Sequence, residues 1–322
     1  MPDSSGTPTP ATGRTVQFES FGGPDALRLN DVPAPQAVAE QLRVRVTAAG
    51  LNPMDWFMTS DAETATRFGL SLPCGFGTDY AGVVDQVGPG VTDFAVGDRV
   101  FGGAMSRAVA DYVLVEQAGA IATAGDVHRT PDGLDDRTAA VLTIAGCTAS
   151  AALAVVGAGP DDTVLVGGAG GGVGVFVVQL ARLAGARVIG TGSASSADVL
   201  RALGAEPVAY GEGMPDRVRA VAPQGVTAAI DLFGADTALA ARQLGVRDER
   251  ITTIAGRIDG ITPANGADAA PGALDRIARL VAAGRLRVPI AATFPVERIR
   301  EAVELQAARH VHGKVVIDLA GE

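Results

Sequence analysis

The stretch Val164-Leu165-Val166-Gly167-Gly168-Ala169-Gly170-Gly171-Gly172-Val173-Gly174-Val175-Phe176-Val177-Val178-Gln179-Leu180-Ala181 decides the fold. It reads as a β-branched apolar strand, a glycine turn and an apolar helix in immediate succession. The turn fits Ala-x-Gly-x-x-Gly through Ala169, Gly171 and Gly174. In that pattern glycines let main-chain amides and a helix N-terminus approach a pyrophosphate. A second apolar run, Ala186-Arg187-Val188-Ile189-Gly190-Thr191-Gly192-Ser193, arrives one helix length later and completes a βαβ unit. The spacing predicts a dinucleotide cradle. A glycine-rich surface loop is the competing reading, and the flanking strand and helix speak against it.

Outward from this unit, the 322-residue chain is 47% hydrophobic and only 4% aromatic, a composition suited to tightly packed α/β layers. The formal charge of −10 speaks against a nucleic-acid partner, whose binding rests on phosphate neutralisation. Cys74 and Cys147 are too few for a disulfide framework, so a reducing, cytoplasmic location is expected. No basic-then-apolar signal order opens the chain, and residues 1–13 read as a disordered leader. No apolar run fits a membrane span better than the nucleotide unit does.

From residue 15 to about 133 the pattern is short β-like segments, 15–18, 41–48, 82–87, 98–101 and 110–115, separated by proline and glycine loops. From about residue 136, helix-length runs at 139–156, 173–184 and 197–203 alternate with apolar strands at 163–166, 187–190, 228–232 and 251–255, the signature of a parallel sheet covered on both faces. A strand at 289–295, a helix over 296–308 and a strand at 314–319 close the chain. The expected organisation is a mostly β domain from 14–135 and 286–322, with a doubly wound dinucleotide-binding domain, 136–285, inserted in it.

Together with these patterns, Ala48-Ala49-Gly50-Leu51-Asn52-Pro53-Met54-Asp55-Trp56, Gly77-Thr78-Asp79-Tyr80-Ala81-Gly82, Val87-Gly88-Pro89-Gly90-Val91, Val96-Gly97-Asp98-Arg99-Val100, Leu203-Gly204-Ala205 and His312-Gly313-Lys314-Val315-Val316 carry a resemblance. The chain resembles the medium-chain dehydrogenase/reductase superfamily, in its zinc-independent quinone oxidoreductase-like, enoyl reductase-like branch. That resemblance implies an α/β architecture: a Rossmann doubly wound parallel sheet plus a mostly β, GroES-like catalytic domain. It also implies a homodimer.

Zinc-dependent members of the superfamily hold a catalytic ion through Cys, His and Cys. Where the resemblance places those ligands, this chain has Asn52, Thr78 and Ile144. Residues 100–146 contain no cysteine for a structural ion, so no metal is expected. His310 and His312 stand two apart before the last strand and read as a solvated or hydrogen-bonded pair, while Cys147 and Cys74 read as unreactive thiols. At the end of the second nucleotide strand no acid precedes Asp198. Gly192, Ser193 and Ser195 leave room for a 2′-phosphate, so NADPH is the expected cofactor. The clamp lacks the Lys or Arg often found there, with Arg201 or Tyr210 as candidates to help.

The resemblance further implies that Asn52, Thr148, Ala169, Gly170, Gly171, Gly172, Val173, Gly174, Leu232, Ala255, Gly256 and Lys314 border the cofactor. Trp56, Phe57, Met58, Tyr80 and Ile144 are expected to wall a substrate pocket, with the loop 58–72 shaping its mouth between the domains. Asn52, Asp55 and Tyr80 are the candidate catalytic groups. Asp55 reads either as a proton relay or as a helix-start residue, and Tyr80 either as a proton donor or as core. Without a Lewis acid, an activated acceptor suits the site: a quinone or an α,β-unsaturated carbonyl delocalises the incoming charge onto its own oxygen. A pathway protein that keeps the fold and binds NADP(H) without general quinone reductase activity, such as a cyclase, lyase or specialised enoyl reductase, is the alternative.

Overall fold

The computed structural model describes residues 11–121, 125–309 and 311–321. Two compact units divide them: residues up to Arg129 with Phe294–Glu304 and the segment from Ile317 onward form one, and Thr130–Thr293 with Leu305–Val316 the other.

The first unit is built on antiparallel strands. Strand β1 (Thr12–Phe18) lies between β2 (Arg28–Pro33) and β4 (Cys74–Gly75). The main sheet centres on β3 (Gln41–Leu51), which pairs with β5 (Asp79–Val87) on one side and β7 (Tyr112–Glu116) on the other; β6 (Arg99–Gly103) and the two-residue β8 (His128–Arg129) follow β5. Leu42, Val44 and Val46 alternate along β3 into its core, where Val84 is also buried, and on β6 the adjacent Val100 and Phe101 are both buried. Register shifts at Arg43/Val44 and Val46/Ala48 interrupt the pairing of β3 with β5, and residues 48–52 that follow are all buried. A Cβ on Gly82 would lie 2.1 Å from the Arg45 carbonyl oxygen, so glycine is required where the two strands close on the irregularity. Helices α1 (Pro53–Phe57) and α2 (Ala62–Arg67) follow β3.

Two expectations change here. Thr12 and Gly13, assigned to a disordered leader, open β1 and pair with Pro33 and Val32; the rest of that leader, residues 1–10, lies outside the described residues. Residues 28–33 form an edge strand where the sequence shows charged and proline residues in place of an apolar alternation.

The second unit holds a six-stranded parallel sheet in the order β11-β10-β9-β12-β13-β14, from β9 (Thr163–Gly167), β10 (Arg187–Gly192), β11 (Glu206–Ala209), β12 (Ala228–Asp231), β13 (Ile251–Thr253) and β14 (Thr262–Pro263). This is the doubly wound order, and its direction reverses between β9 and β12. Val164, Leu165, Val166, Ala229 and Ile230 are fully buried because helices cover both faces. The helices are α3 (Asp136–Ala139), α4 (Thr143–Val156), α5 (Gly174–Leu183), α6 (Ala197–Leu203), α7 (Met214–Val221), α8 (Asp236–Gln243) and α9 (Ala273–Ala282). The helix expected over 139–156 starts at Thr143 as α4, and the separate short α3 ahead of it is capped by the Asp135 carboxylate on the Thr138 amide. The closing strands β15 (Ile290–Pro295) and β16 (Lys314–Asp318), with α10 (Ile299–Ala307) between them, straddle the division of the units.

Candidate functional site

At the reversal of strand order, β9 runs into the glycine turn. Gly168 turns the chain at φ +68° and α5 starts at Gly174. A Cβ on Gly174 would lie 2.3 Å from the Gly168 carbonyl oxygen and 2.5 Å from that of Ala169, so only glycine lets the helix start against the strand end. A Cβ on Gly170 would meet the His312 imidazole at 3.2 Å, and one on Gly172 the Lys314 side chain at 3.1 Å. The strap 311–314 therefore lies on the turn. It is fastened by the Gly313 amide donating to the Gly170 carbonyl (2.9 Å) and the Lys314 amide to Pro289 (2.9 Å). Lys314, expected to border the cofactor, is buried beside the turn. His310, its expected companion to His312, lies outside the described residues.

The opposite lip of this crevice follows β12. Asp231 is buried, and its carboxylate accepts four main-chain N–H groups: Phe233 and Gly234 on Oδ1 (3.1 and 3.0 Å), Thr237 and Ala238 on Oδ2 (2.9 and 3.1 Å). It closes the loop 232–236 and caps α8 together. Leu232 and Phe233 are thereby held beside Gly168, 3.6 and 3.4 Å from where its Cβ would be. Sequence reading passed over Asp231, because its acceptors are all main-chain groups whose convergence no motif announces. Ala255 and Gly256 are exposed just past β13. Thr148 donates to the Ile144 carbonyl (2.6 Å) and abuts Gly266, so its hydroxyl is engaged within its own helix.

At the end of β10, Ser193 Oγ lies 2.8 Å from Ser195 Oγ and 3.2 Å from Ser196 Oγ. The neighbouring strand end meets them there: the Tyr210 amide donates to the Gly192 carbonyl (3.3 Å), and the Tyr210 side chain is 61% exposed. Arg201 is occupied with Asp198 at 2.8 Å.

In the first unit the cluster forms at the end of β3. Asn52 caps α1; its amide N–H is accepted by Asp55 Oδ2 (2.8 Å), while Asp55 Oδ1 accepts the Thr78 hydroxyl (2.7 Å). The Asn52 Nδ2 donates to Asp79 Oδ2 at 3.0 Å, and all four residues are buried. Only the amide nitrogen can donate to a carboxylate, which fixes how Asn52 presents its side chain. Asp55 thus acts as the helix-start acceptor of the two readings the sequence allowed. Tyr80, next along β5, points to the sheet face opposite Asp79. It is fully buried and donates to the Asp126 carbonyl (2.7 Å). Burial first, and Asp126 second, hold its phenol well above the ordinary value, with Arg107 pulling the other way. The structure therefore separates Tyr80 from the Asn52 cluster with which the sequence grouped it. Trp56 and Phe57 stack with ring centroids 4.1 Å apart; Phe57 is exposed and Met58 buried. Burial raises the Cys74 thiol against an opposing hydrogen bond from Ser106.

Among the described residues, no three His, Cys, Asp or Glu side chains group as a metal site, and no helix is long and apolar enough to cross a membrane.

Residues 38–155 match the model of the alcohol dehydrogenase GroES-like domain, and residues 203–317 that of the zinc-binding dehydrogenases. Human quinone oxidoreductase is 38% identical over 183 residues, 55% of this chain and 52% of that protein. The matching region thus spans about half the length of the curated relatives. The quinone oxidoreductase of Coxiella burnetii superposes with a TM-score of 0.85 at 29% identity, covering 96% of this chain and 99% of that one. A mycobacterial protein solved in complex with NADPH does so with a TM-score of 0.80 at 26% identity, covering 95% and 99%.

Proposed function

The chain belongs to the medium-chain dehydrogenase/reductase superfamily, and on that premise we propose that it is an NADPH-dependent oxidoreductase that reduces a quinone or an α,β-unsaturated carbonyl without zinc. The observation that carries this reading is the 168–174 turn. A Cβ at Gly174 has no room, and the turn sits at the reversal of strand order where open α/β sheets bind nucleotides. The residues fit the dinucleotide. Gly170, Gly171, Gly172, Val173 and Gly174 would cradle the pyrophosphate with Lys314 beside them, while Leu232, Ala255 and Gly256 border its nicotinamide end. Gly192, Ser193, Ser195 and Tyr210 would take the adenosine end.

The nicotinamide, when bound, supplies hydride. Asn52, oriented by Asp79, holds an acceptor carbonyl or a ribose oxygen by hydrogen bonding as charge develops there. Trp56, Phe57 and Met58, which follow Asn52 on and after α1, would supply apolar surface beside it. Asp55 maintains the start of α1 and, through it, the position of Asn52. Zinc does not fit: Asn52 and Thr78 offer neutral oxygen and amide donors already bonded to Asp79 and Asp55, and Ile144 offers none, where the ion takes about four thiolate, imidazole or carboxylate ligands. A cytoplasmic homodimer acting on a small molecule completes the proposal.

The test is oxidation of NADPH, and separately NADH, by the purified protein with a panel of quinones and enones, with and without chelator. Chelator-resistant turnover that prefers NADPH is expected. Absence of oxidation with every activated acceptor overturns the reductase reading, and tight NADPH binding without turnover moves the assignment to the non-redox alternative.

A further inference from the structure

We propose that Arg217 is a specificity-determining positioning residue that makes the Tyr210 corner accept a dinucleotide bearing a 2′-phosphate. The inference rests on the dinucleotide reading above and goes beyond it, because residues 193–196 contain no cation to meet such a phosphate.

The structure brings a cation to the corner from a different element. Arg217, on α7, wraps its guanidinium around the loop that leaves β11. Nε donates to the Ala209 carbonyl (3.1 Å), Nη1 to Glu212 (2.8 Å), and Nη2 to Ala209, Tyr210 and Gly211 (2.9, 3.1 and 3.2 Å). Four consecutive carbonyl oxygens thus converge on one planar fork, which fixes the backbone of Tyr210. Tyr210 in turn donates its amide to Gly192, the residue before Ser193. The loop and the serine cluster are thereby in register at the strand end where a ribose 2′ substituent lies in doubly wound folds.

Charge sets Arg217 apart from its neighbours. Arg187 is paired with Glu206, Arg201 with Asp198 and Arg219 with Asp216. Arg217 has only neutral carbonyls as partners, and none of its bonds among the described residues is to a carboxylate; the adjacent Glu212 gives it a main-chain oxygen. Arg217 is therefore without an ion-pair partner among the described residues, in a chain of net charge −10. Without it, four convergent carbonyl dipoles would face an incoming dianion. With it, the charge at the corner favours an anion, and the backbone that carries the exposed Tyr210 is fixed.

The experiment measures dissociation constants for NADPH and NADH by protein fluorescence, at low and high salt, for wild type, R217K and R217Q, with a thermal melt of each. R217Q is expected to weaken NADPH about tenfold and NADH less than about twofold, and to flatten the salt dependence of NADPH binding. R217K, which keeps the charge and loses the fork, should recover part of the NADPH affinity. Equal weakening of both nucleotides in R217Q and R217K would make Arg217 merely structural, and unchanged NADPH affinity in a folded variant would overturn the proposal outright. Should R217Q not fold, R217K alone decides by whether NADPH is lost more than NADH. Wild-type protein that binds neither nucleotide would instead refute the dinucleotide reading itself.

Discussion

Tyr80 shows how a residue beside a functional group is turned to another use. In sequence it adjoins Asp79 and is a ready proton donor, but strand alternation sends the two side chains to opposite faces. The phenol, fully buried, donates to the Asp126 carbonyl. Y80F should therefore leave the pH profile of turnover unchanged while costing about 1–2 kcal/mol of stability, since a buried carbonyl loses its donor. Burial raises the phenol above its ordinary value, so the folded state keeps a proton that the unfolded chain gives up. Its stabilising contribution is complete below about pH 10 and declines as pH rises past the ordinary phenol value. Chemical melts of wild type and Y80F between neutral and strongly alkaline pH test this: the gap should narrow with rising pH, and a displaced activity profile would restore Tyr80 as a proton donor. Asn52 was singled out through the family resemblance, and Asp55 was legible as a helix-start acid. That Asp79 would hold the Asn52 amide was not, since the contact joins positions 27 apart.

At the scale of elements, β9, its turn and α5 were readable because period and glycine spacing are local, whereas α7 and the edge strand β2 were not, their sequences being charged and broken by proline. The missed elements carry Arg217 and the partner of β1, so what escaped was less the fold than the side chains it recruits. The turn makes the first test. G174A places a methyl group 2.3 Å from the Gly168 oxygen, and α5 must shift away from β9. We expect NADPH affinity to fall at least about tenfold by fluorescence titration; an unaltered dissociation constant would show that the helix start is not what receives the pyrophosphate. Asp231 makes the second. Each of its oxygens accepts two amides, and an asparagine can offer only one oxygen to that set while its NH2 faces N–H groups. D231N should thus be nearly as damaging as D231A, lowering stability by about 2–4 kcal/mol in urea melts. Full retention of stability in D231N would mean that the loop 232–236 is held by something other than this carboxylate.

Over the whole molecule, two compact units of unlike construction, one antiparallel with its pairing set by bulges and one parallel with both faces covered, make unfolding in a single step unnecessary. The sequence changes texture near residue 136, from strands with turn signals to alternating helices and strands, whereas the closing segment 286–322, expected whole in the first domain, is split, with Leu305–Val316 in the second unit. The strap that returns to the glycine turn was visible only as a motif without a destination. Asp162 offers a way to tell the units apart. It accepts the Thr227 hydroxyl (2.7 Å), the Gly159 amide (2.7 Å) and the Arg250 guanidinium, all within the parallel unit. Burial alone would raise its carboxyl, but these three donors outweigh burial and leave it below the ordinary value. A depressed carboxylate supplies stability that is complete above the ordinary value near pH 4 and drains away as pH falls through the folded one. D162N should accordingly lower the transition of the parallel unit by about 1–3 kcal/mol at pH 7, and by progressively less as the pH falls below about 4. NADPH at about a hundred times its dissociation constant should raise that same transition by about 2.7 kcal/mol. Calorimetry of wild type and D162N at pH 7, with and without NADPH, decides the matter. If the transition shifted by the nucleotide and the one shifted by D162N are the same, the nucleotide binds the parallel unit; if they are separate transitions, it does not.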